Sequence, residues 1–155
     1  MFGLITPEGA ELSPGSFSKR FQYANDNERQ YVMKLVKLAQ KDKVRIHILS
    51  DSAGNSYGLV ALSFSSFDKD FKRTSIVIDY IFTSLQYRGR HFAELGEMTI
   101  FEHLLGITYQ SAITIKKTIP IRFIALQPAS DRLAEYYMRI DFKPFGNTDW
   151  MFLSI

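Results

Sequence analysis

The sequence contains no cysteine, and this absence excludes several classes of protein. A disulfide framework, a thiolate zinc site and a cysteine nucleophile all need cysteine side chains. No apolar run reaches the roughly 18 residues that a transmembrane helix needs, and the N-terminus lacks the basic and apolar regions of a secretory signal. We therefore expect a cytoplasmic protein that does not associate with a membrane.

The residues that are present provide enough apolar material for one folded domain. Of 155 residues, 46% are hydrophobic and 23% are charged, which is typical of a globular protein. A net charge of +3 makes the chain mildly basic, which suits an anionic ligand such as a nucleotide cofactor or RNA. We predict a single domain over residues 1–155.

Hydrophobic periodicity predicts an α/β fold. Asn25-Asp26-Asn27 precedes apolar residues at helical spacing, which indicates a helix over residues 27–40. A second helix is predicted from Phe92 to Leu105, with loops at residues 13–16 and 65–73. Strands are predicted from β-branched and aromatic runs between turn residues, at residues 44–50, 57–64, 76–82, 120–126 and 150–155.

The junction between the strand at residues 76–82 and the following helix carries the strongest functional signal. It reads Gln86-Tyr87-Arg88-Gly89-Arg90-His91-Phe92-Ala93. A strand–loop–helix unit can point backbone N–H groups and the positive end of the helix dipole at one spot, and Arg88 and Arg90 add charge. The segment predicts a pyrophosphate site, although a purely structural basic turn has the same local pattern.

A later segment of the chain contains a second motif. Tyr137, Arg139, Asp141 and Phe142 follow the pattern Tyr, one residue, a basic residue, one residue, Gly, Phe, with Asp141 in place of Gly. Together the two segments resemble the GNAT superfamily of N-acetyltransferases. The acetyl-CoA loop of that superfamily reads Gln or Arg, two residues, Gly, one residue, Gly or Ala. Starting at Arg88 the two small positions are His91 and Ala93, and starting at Gln86 they are Gly89 and His91.

The resemblance implies the acyl-CoA N-acyltransferase (GNAT) fold. In this α/β fold a mixed, mostly antiparallel sheet carries helices on both faces and splays after its fourth strand, where acetyl-CoA binds. The C-terminal sequences Phe142-Lys143-Pro144-Phe145 and Trp150-Met151-Phe152-Leu153 are similar to the endings of acetyltransferase toxins from bacterial toxin–antitoxin pairs.

The resemblance also assigns roles to residues. Tyr137 is the expected general acid, because a phenol with a pKa of about 10 stays protonated at neutral pH. Asp79 is a candidate general base, alongside Glu94 and Glu97. No metal is expected, since the three histidines lack metal-ligand spacing. The residues expected to bind acetyl-CoA are Phe82, Thr83, Arg88, Gly89, Arg90, His91, Phe92, Ala93 and Ser130.

Three functions remain open at this stage. The first is transfer of the acetyl group of acetyl-CoA to a primary amine. The second is a toxin-type enzyme that acetylates the α-amine of aminoacyl-tRNA and blocks translation; an α-amine with a pKa of about 7.7–8.0 needs no strong base. A basic helix face favours tRNA as a partner, through Arg29, Lys34, Lys37 and Lys41. The third is a non-catalytic acyl-CoA-binding or regulatory protein, favoured by His91 and Asp141. Relatives often form homodimers.

Overall fold

The structure is a computed structural model that describes residues 1–67 and 74–155. Its strands are β1 (Phe2–Ile5), β2 (Arg45–Asp51), β3 (Ser56–Ser66), β4 (Thr74–Thr83), β5 (Phe123–Leu126), β6 (Lys143–Pro144) and β7 (Met151–Ser154). Its α-helices are α1 (Pro14–Ser18), α2 (Asp26–Gln40), α3 (Ile100–Lys116) and α4 (Asp131–Arg139).

Within the described residues, the strands form a seven-stranded sheet in the order β1-β2-β3-β4-β5-β7-β6. The pair β4–β5 is parallel, while β1–β2, β2–β3, β5–β7 and β6–β7 are antiparallel. Pairing of β4 with β5 ends at Ile78 and Leu126, but β4 continues to Thr83. The sheet is therefore mixed and mostly antiparallel, and β4 continues beyond its last pair with β5.

Most predicted elements are confirmed with small shifts of their ends, and two are wrong. The expected loop at residues 13–16 instead starts α1, with Pro14 at the first helical position, where its missing N–H costs no hydrogen bond. The helix predicted from Phe92 begins only at Ile100, and residues before it form a 3-10 turn at Ala93–Leu95. Part of the predicted connection at residues 65–73 lies outside the described residues.

The chain divides into two compact units, of which the first comprises residues 1–62 and 80–107. In this unit α2 begins at Asn25, whose side chain accepts a hydrogen bond from the N–H of Glu28 at 3.0 Å. The apolar face of α2 packs on β2 and β3 through a buried cluster that includes Val32, Val36, Ile46, Ile48 and Leu59. Burial of this face stabilises α2, since helix propensity alone is a weak determinant.

The second unit comprises residues 63–79 and 108–155. Its small core contains Val77, Ala125 and Phe152, and four partly buried aromatic side chains pack against these residues: Phe67, Phe123, Phe145 and Trp150. Helix α4 begins at Ser130 and ends where Asp141 adopts a φ of 77°. Within the described residues, no helix is long and apolar enough to cross a membrane.

Candidate functional site

The segment after β4 starts from a fixed point at Ser84, which is fully buried. The Ser84 N–H donates to the carbonyl of Tyr57 at 2.9 Å, and the Ser84 hydroxyl accepts from the N–H of Gln22 at 2.8 Å. The N–H of Leu85 donates to the carbonyl of Gln22 at 2.9 Å. These bonds hold the beginning of the predicted cofactor loop against the connection between α1 and α2.

The Arg88 side chain lies against β4 and α2. Its Nε donates to the carbonyl oxygen of Thr83 at 2.8 Å, and its Nη2 lies 2.8 Å from Oε1 of Glu28. The guanidinium also lies over the Phe82 ring, 5.3 Å from its centroid. The structure thus gives Arg88 three protein partners on the strand and the helix.

An aromatic cluster holds the other side of the loop. The Tyr87 ring packs on Tyr57 with centroids 4.3 Å apart, and the Phe92 ring lies 5.5 Å from Phe2 and 5.8 Å from Tyr57. Arg90 lies over the Tyr87 and Phe92 rings at 5.7 and 5.4 Å. The Arg90 guanidinium makes no ion pair with any described carboxylate, so its charge is available to a ligand.

From Arg88 to Ala93 the backbone N–H groups of this loop alternate in their bonding. Those at even positions donate to carbonyl oxygens: Arg88 to Leu85, Arg90 to Tyr87 and Phe92 to Met98. At the odd positions, the N–H groups of Gly89, His91 and Ala93 form no hydrogen bond with a described acceptor. All three residues are exposed, and Gly89 has a φ of 73°. Exposed donors next to an arginine fit an anionic group such as a pyrophosphate.

Helix α3 does not follow directly on the predicted cofactor loop, because it begins only at Ile100. A hairpin lies between the loop and α3 in sequence, and its bridge pairs Phe92 with Met98, two residues before α3. The first turn of α3 is closed by its own capping box, in which the Thr99 N–H donates to Glu102 Oε1 at 3.1 Å and the Glu102 N–H donates to Thr99 Oγ1 at 3.2 Å. The Glu102 carboxylate therefore occupies the helix end that was expected to face phosphate.

His91 stands where the superfamily has glycine, and its side chain points to the hairpin. The imidazole Nδ1 lies 2.7 Å from the carbonyl oxygen of Glu97, a residue with a φ of 66°. Since a carbonyl can only accept, Nδ1 carries the proton of this bond. The side chain thus fixes the far end of the loop, and the His91 N–H stays without a described acceptor.

Tyr137 is a buried residue of α4 in the second unit. Its side chain is 5% exposed and contacts Phe142 and Tyr136, with centroids 5.3 and 5.7 Å apart. Burial, and to a lesser extent Tyr136, raises the pKa of Tyr137 to about 12. The phenol is therefore fully protonated at neutral pH, as a general acid requires.

Asp79 differs from the other candidate bases in its surroundings. Burial raises the pKa of Asp79 above its ordinary value, against a hydrogen bond with the Ser63 side chain that lowers it. Glu94 and Glu97 are exposed, and Glu94 lies 3.6 Å from the N-terminal amine of Met1. The pKa of Asp79 is therefore shifted towards neutrality, which is the direction that improves a general base.

Two other predicted cofactor residues, Ser130 and Phe82, have structural partners. The Ser130 side chain accepts from the Leu133 N–H at 3.2 Å as the N-cap of α4. The Phe82 side chain is 2% exposed and packs on Phe21 and Tyr23. Only the backbone of Phe82 is therefore left for a ligand.

The sequence did not indicate a role for Glu28 or Ser84 in the site, although both hold the predicted cofactor loop in place. The spacing from Asn25 to Glu28 is a helix-start signal in the sequence, but it gives no sign of a bond to Arg88. No three His, Asp or Glu side chains of the described residues are grouped as metal ligands.

The element order, the strand order and the extension of β4 beyond β5 define the acyl-CoA N-acyltransferase (GNAT) fold, so this prediction is confirmed. Solved structures share the fold over almost the entire chain. A tyrosine-to-phenylalanine variant of the toxin AtaT, bound to the C-terminus of the antitoxin AtaR and acetyl-CoA, is 12% identical with a TM-score of 0.76, covering 99% of this chain and 93% of that one.

Two further structures give the same result. AtaT complexed with acetyl-methionyl-tRNAfMet is 13% identical, with a TM-score of 0.73 and coverage of 99% of this chain and 95% of that chain. A structure described as a bacterial toxin is 18% identical, with a TM-score of 0.76 and coverage of 100% and 91%. No family model matches the sequence, and no curated protein matches it. The similarity therefore establishes the fold.

Proposed function

We propose that the chain is an acetyl-CoA-dependent N-acetyltransferase that moves the acetyl group to a primary amine. The observation that carries this proposal is the row of exposed N–H groups without described acceptors at Gly89, His91 and Ala93. The shared fold with AtaT, solved with acetyl-CoA, supports the same cofactor. Because the matched structures cover nearly all of the chain, we further propose that residues 1–155 act as one catalytic domain.

Each proposed role follows from the chemistry of acetyl transfer. Bound acetyl-CoA supplies a thioester that an amine can attack. The loop N–H groups and Arg90 bind the pyrophosphate, and the backbone at Phe82 and Thr83 stabilises negative charge on the thioester oxygen. Asp79 accepts the proton of the amine, and Tyr137 donates a proton to the departing thiolate. We also propose a cytoplasmic location, where acetyl-CoA is used in such reactions.

A narrower acceptor, the α-amine of aminoacyl-tRNA, is the second candidate. AtaT was solved with acetyl-methionyl-tRNAfMet and has the same fold. Helix α2 also exposes Lys34 and Lys37, and Lys41 is exposed at its C-cap. Arg29 contributes less than expected from the sequence, because it lies 2.6 Å from the Asp26 carboxylate. A homodimer stays a prediction.

The test is acetyl transfer from labelled acetyl-CoA to small amines, peptides with free N-termini and aminoacyl-tRNA. Labelling of aminoacyl-tRNA alone, with uncharged tRNA as the control, supports the toxin-type enzyme. Labelling of another amine supports an acetyltransferase with a different acceptor. Acetyl-CoA binding without transfer to any amine class contradicts the enzyme and favours the non-catalytic alternative.

A further inference from the structure

The ion pair between Arg88 and Glu28 joins segments that lie 60 positions apart in sequence. Their side chains are 34% and 24% exposed. The neighbouring pair of Arg29 and Asp26 is more open, at 41% and 64%. Partial burial of the first pair reduces its screening by water and salt. This pair can therefore fix the positions of the Arg88 and Glu28 side chains more firmly than an exposed pair could.

Glu28 is itself fixed in the first turn of α2. Its Oε1 accepts both from Arg88 and from the N–H of Ala24, each at 2.8 Å, while its own N–H donates to Asn25. Burial opposes ionisation of Glu28, but the hydrogen bonds from Arg88 and Ala24 outweigh it and lower the pKa of Glu28 below its ordinary value. The carboxylate is ionised at neutral pH.

Arg88 connects this turn to the start of the loop. Its Nε is bonded to the carbonyl of Thr83, the last residue of β4, and its guanidinium is stacked on Phe82. Since the planar guanidinium is held by a carboxylate, a carbonyl and a ring, it has few orientations left. The residue that follows it is Gly89, the first of the three exposed donors.

We propose that Arg88 and Glu28 are positioning residues, which fix the anion-binding loop so that the Gly89, His91 and Ala93 N–H groups converge on one anion. This inference rests on the proposed function only in naming that anion as the pyrophosphate of acetyl-CoA. It predicts that a carboxylate strengthens anion binding. Charge alone predicts the opposite, because removing an acidic group should favour an anionic ligand.

Glu28→Gln and Asp26→Asn form a matched pair for the test. Both remove one negative charge from the first turn of α2, but only Glu28→Gln replaces the ion pair with Arg88 by a weaker, uncharged hydrogen bond. We expect calorimetry with acetyl-CoA to show binding weakened about 10-fold by Glu28→Gln, because small losses of alignment are costly in preorganised sites. Asp26→Asn should bind as tightly as the native chain or slightly more tightly.

Arg88→Lys provides a second, independent variant. It keeps the positive charge but loses the planar group that bonds Glu28 and Thr83 together, so a positioning role predicts a loss similar to that of Glu28→Gln. In both variants the KM for acetyl-CoA should rise, while kcat at saturation changes less than about 2-fold. Circular dichroism at the assay temperature checks that the variants are folded.

Native-like or tighter binding by Glu28→Gln would overturn the inference, as would native affinity in Arg88→Lys alongside weak binding in Arg88→Gln. Inorganic pyrophosphate is the second probe. A native chain that binds pyrophosphate but not acetyl-CoA would contradict the proposed function and still test the pair through Glu28→Gln. Failure of the native chain to bind either molecule would overturn both proposals.

Discussion

Burial distinguishes the two adjacent tyrosines near the end of α4. Tyr137 is buried, while Tyr136 is half-buried and its ring lies 6.0 Å from the Arg139 guanidinium. We expect Tyr137→Phe to lower kcat by about 10²–10⁴, the range for loss of a general acid, with little change in acetyl-CoA affinity. Tyr136→Phe is the control. Equal losses in both variants, or none in either, would return Tyr137 to a purely structural role.

Asp79 is expected to support catalysis at a cost in stability. A carboxyl group whose pKa is raised on folding stabilises the fold below its unfolded pKa, and this contribution is lost as the pH rises through the folded pKa. Above its raised pKa the ionised side chain of Asp79 therefore destabilises the fold relative to the neutral one. We expect Asp79→Asn to raise the unfolding temperature at pH 7 while lowering kcat/KM.

The pH profile checks the same assignment. The native kcat/KM should fall as the pH drops through the raised pKa of Asp79, because only the carboxylate accepts a proton. Asp79→Asn should abolish that limb of the profile. A variant that is less stable and fully active would make Asp79 a structural residue and leave water as the base.

At the level of elements, Asp141 ends α4 in a conformation that favours glycine. The Phe142 N–H donates to the Tyr137 carbonyl at 3.0 Å and the Asp141 N–H to the Met138 carbonyl at 3.2 Å, which together form a Schellman motif. The backbone conformation at this position thus explains why glycine is usual in the superfamily where this chain has Asp141. The motif keeps the ring of Tyr137 in contact with Phe142.

Asp141→Gly should therefore stabilise the fold. Removing a side chain at a φ of 77° relieves roughly 0.5–1 kcal/mol of strain after the added entropy of the unfolded chain is counted. Asp42 follows α2 with a φ of 56°, so Asp42→Gly tests the same effect at a second position. Denaturant unfolding of both glycine variants is the measurement, and lower stability in both would contradict this account.

The start of α3 shows what the sequence did and did not predict about elements. Ala93, Glu94 and Leu95 are good helix formers, so helix propensity predicts a start for α3 that is too early. Gly96 and Glu97 both have positive φ values, and the chain turns back before Thr99. The capping-box pattern from Thr99 to Glu102 was visible in the sequence and would have given the right start.

For the whole molecule, the fold was predictable because element order and motif spacing are local properties of the chain. The partners of Arg88 were not predictable, since Glu28 lies 60 positions away and either residue could have faced solvent or a ligand. Which N–H groups of the loop lack a described acceptor likewise depends on bonds formed after folding, such as that from Phe92 to Met98.

The surface charge of the whole chain bears on the choice of acceptor. If tRNA phosphates contact the lysine face of α2, each lost contact should reduce the salt dependence of binding by about one unit of slope. We expect Lys34→Ala/Lys37→Ala/Lys41→Ala to bind tRNA with a shallower slope than the native chain. Identical slopes, or no tRNA binding, would remove aminoacyl-tRNA as the acceptor at this face and leave the general acetyltransferase proposal unaffected.

The most direct measurement of the central claim is calorimetric titration of acetyl-CoA into the native chain, Gly89→Val and Gly54→Val. Both glycines have positive φ values, 73° and 89°, and open space where a side chain would extend, so both variants incur backbone strain. Only Gly89 lies in the proposed anion-binding loop. The account predicts binding by the native chain and Gly54→Val, with a loss of at least about 10-fold in Gly89→Val. Equal affinity in all three proteins, or no binding by the native chain, would contradict it.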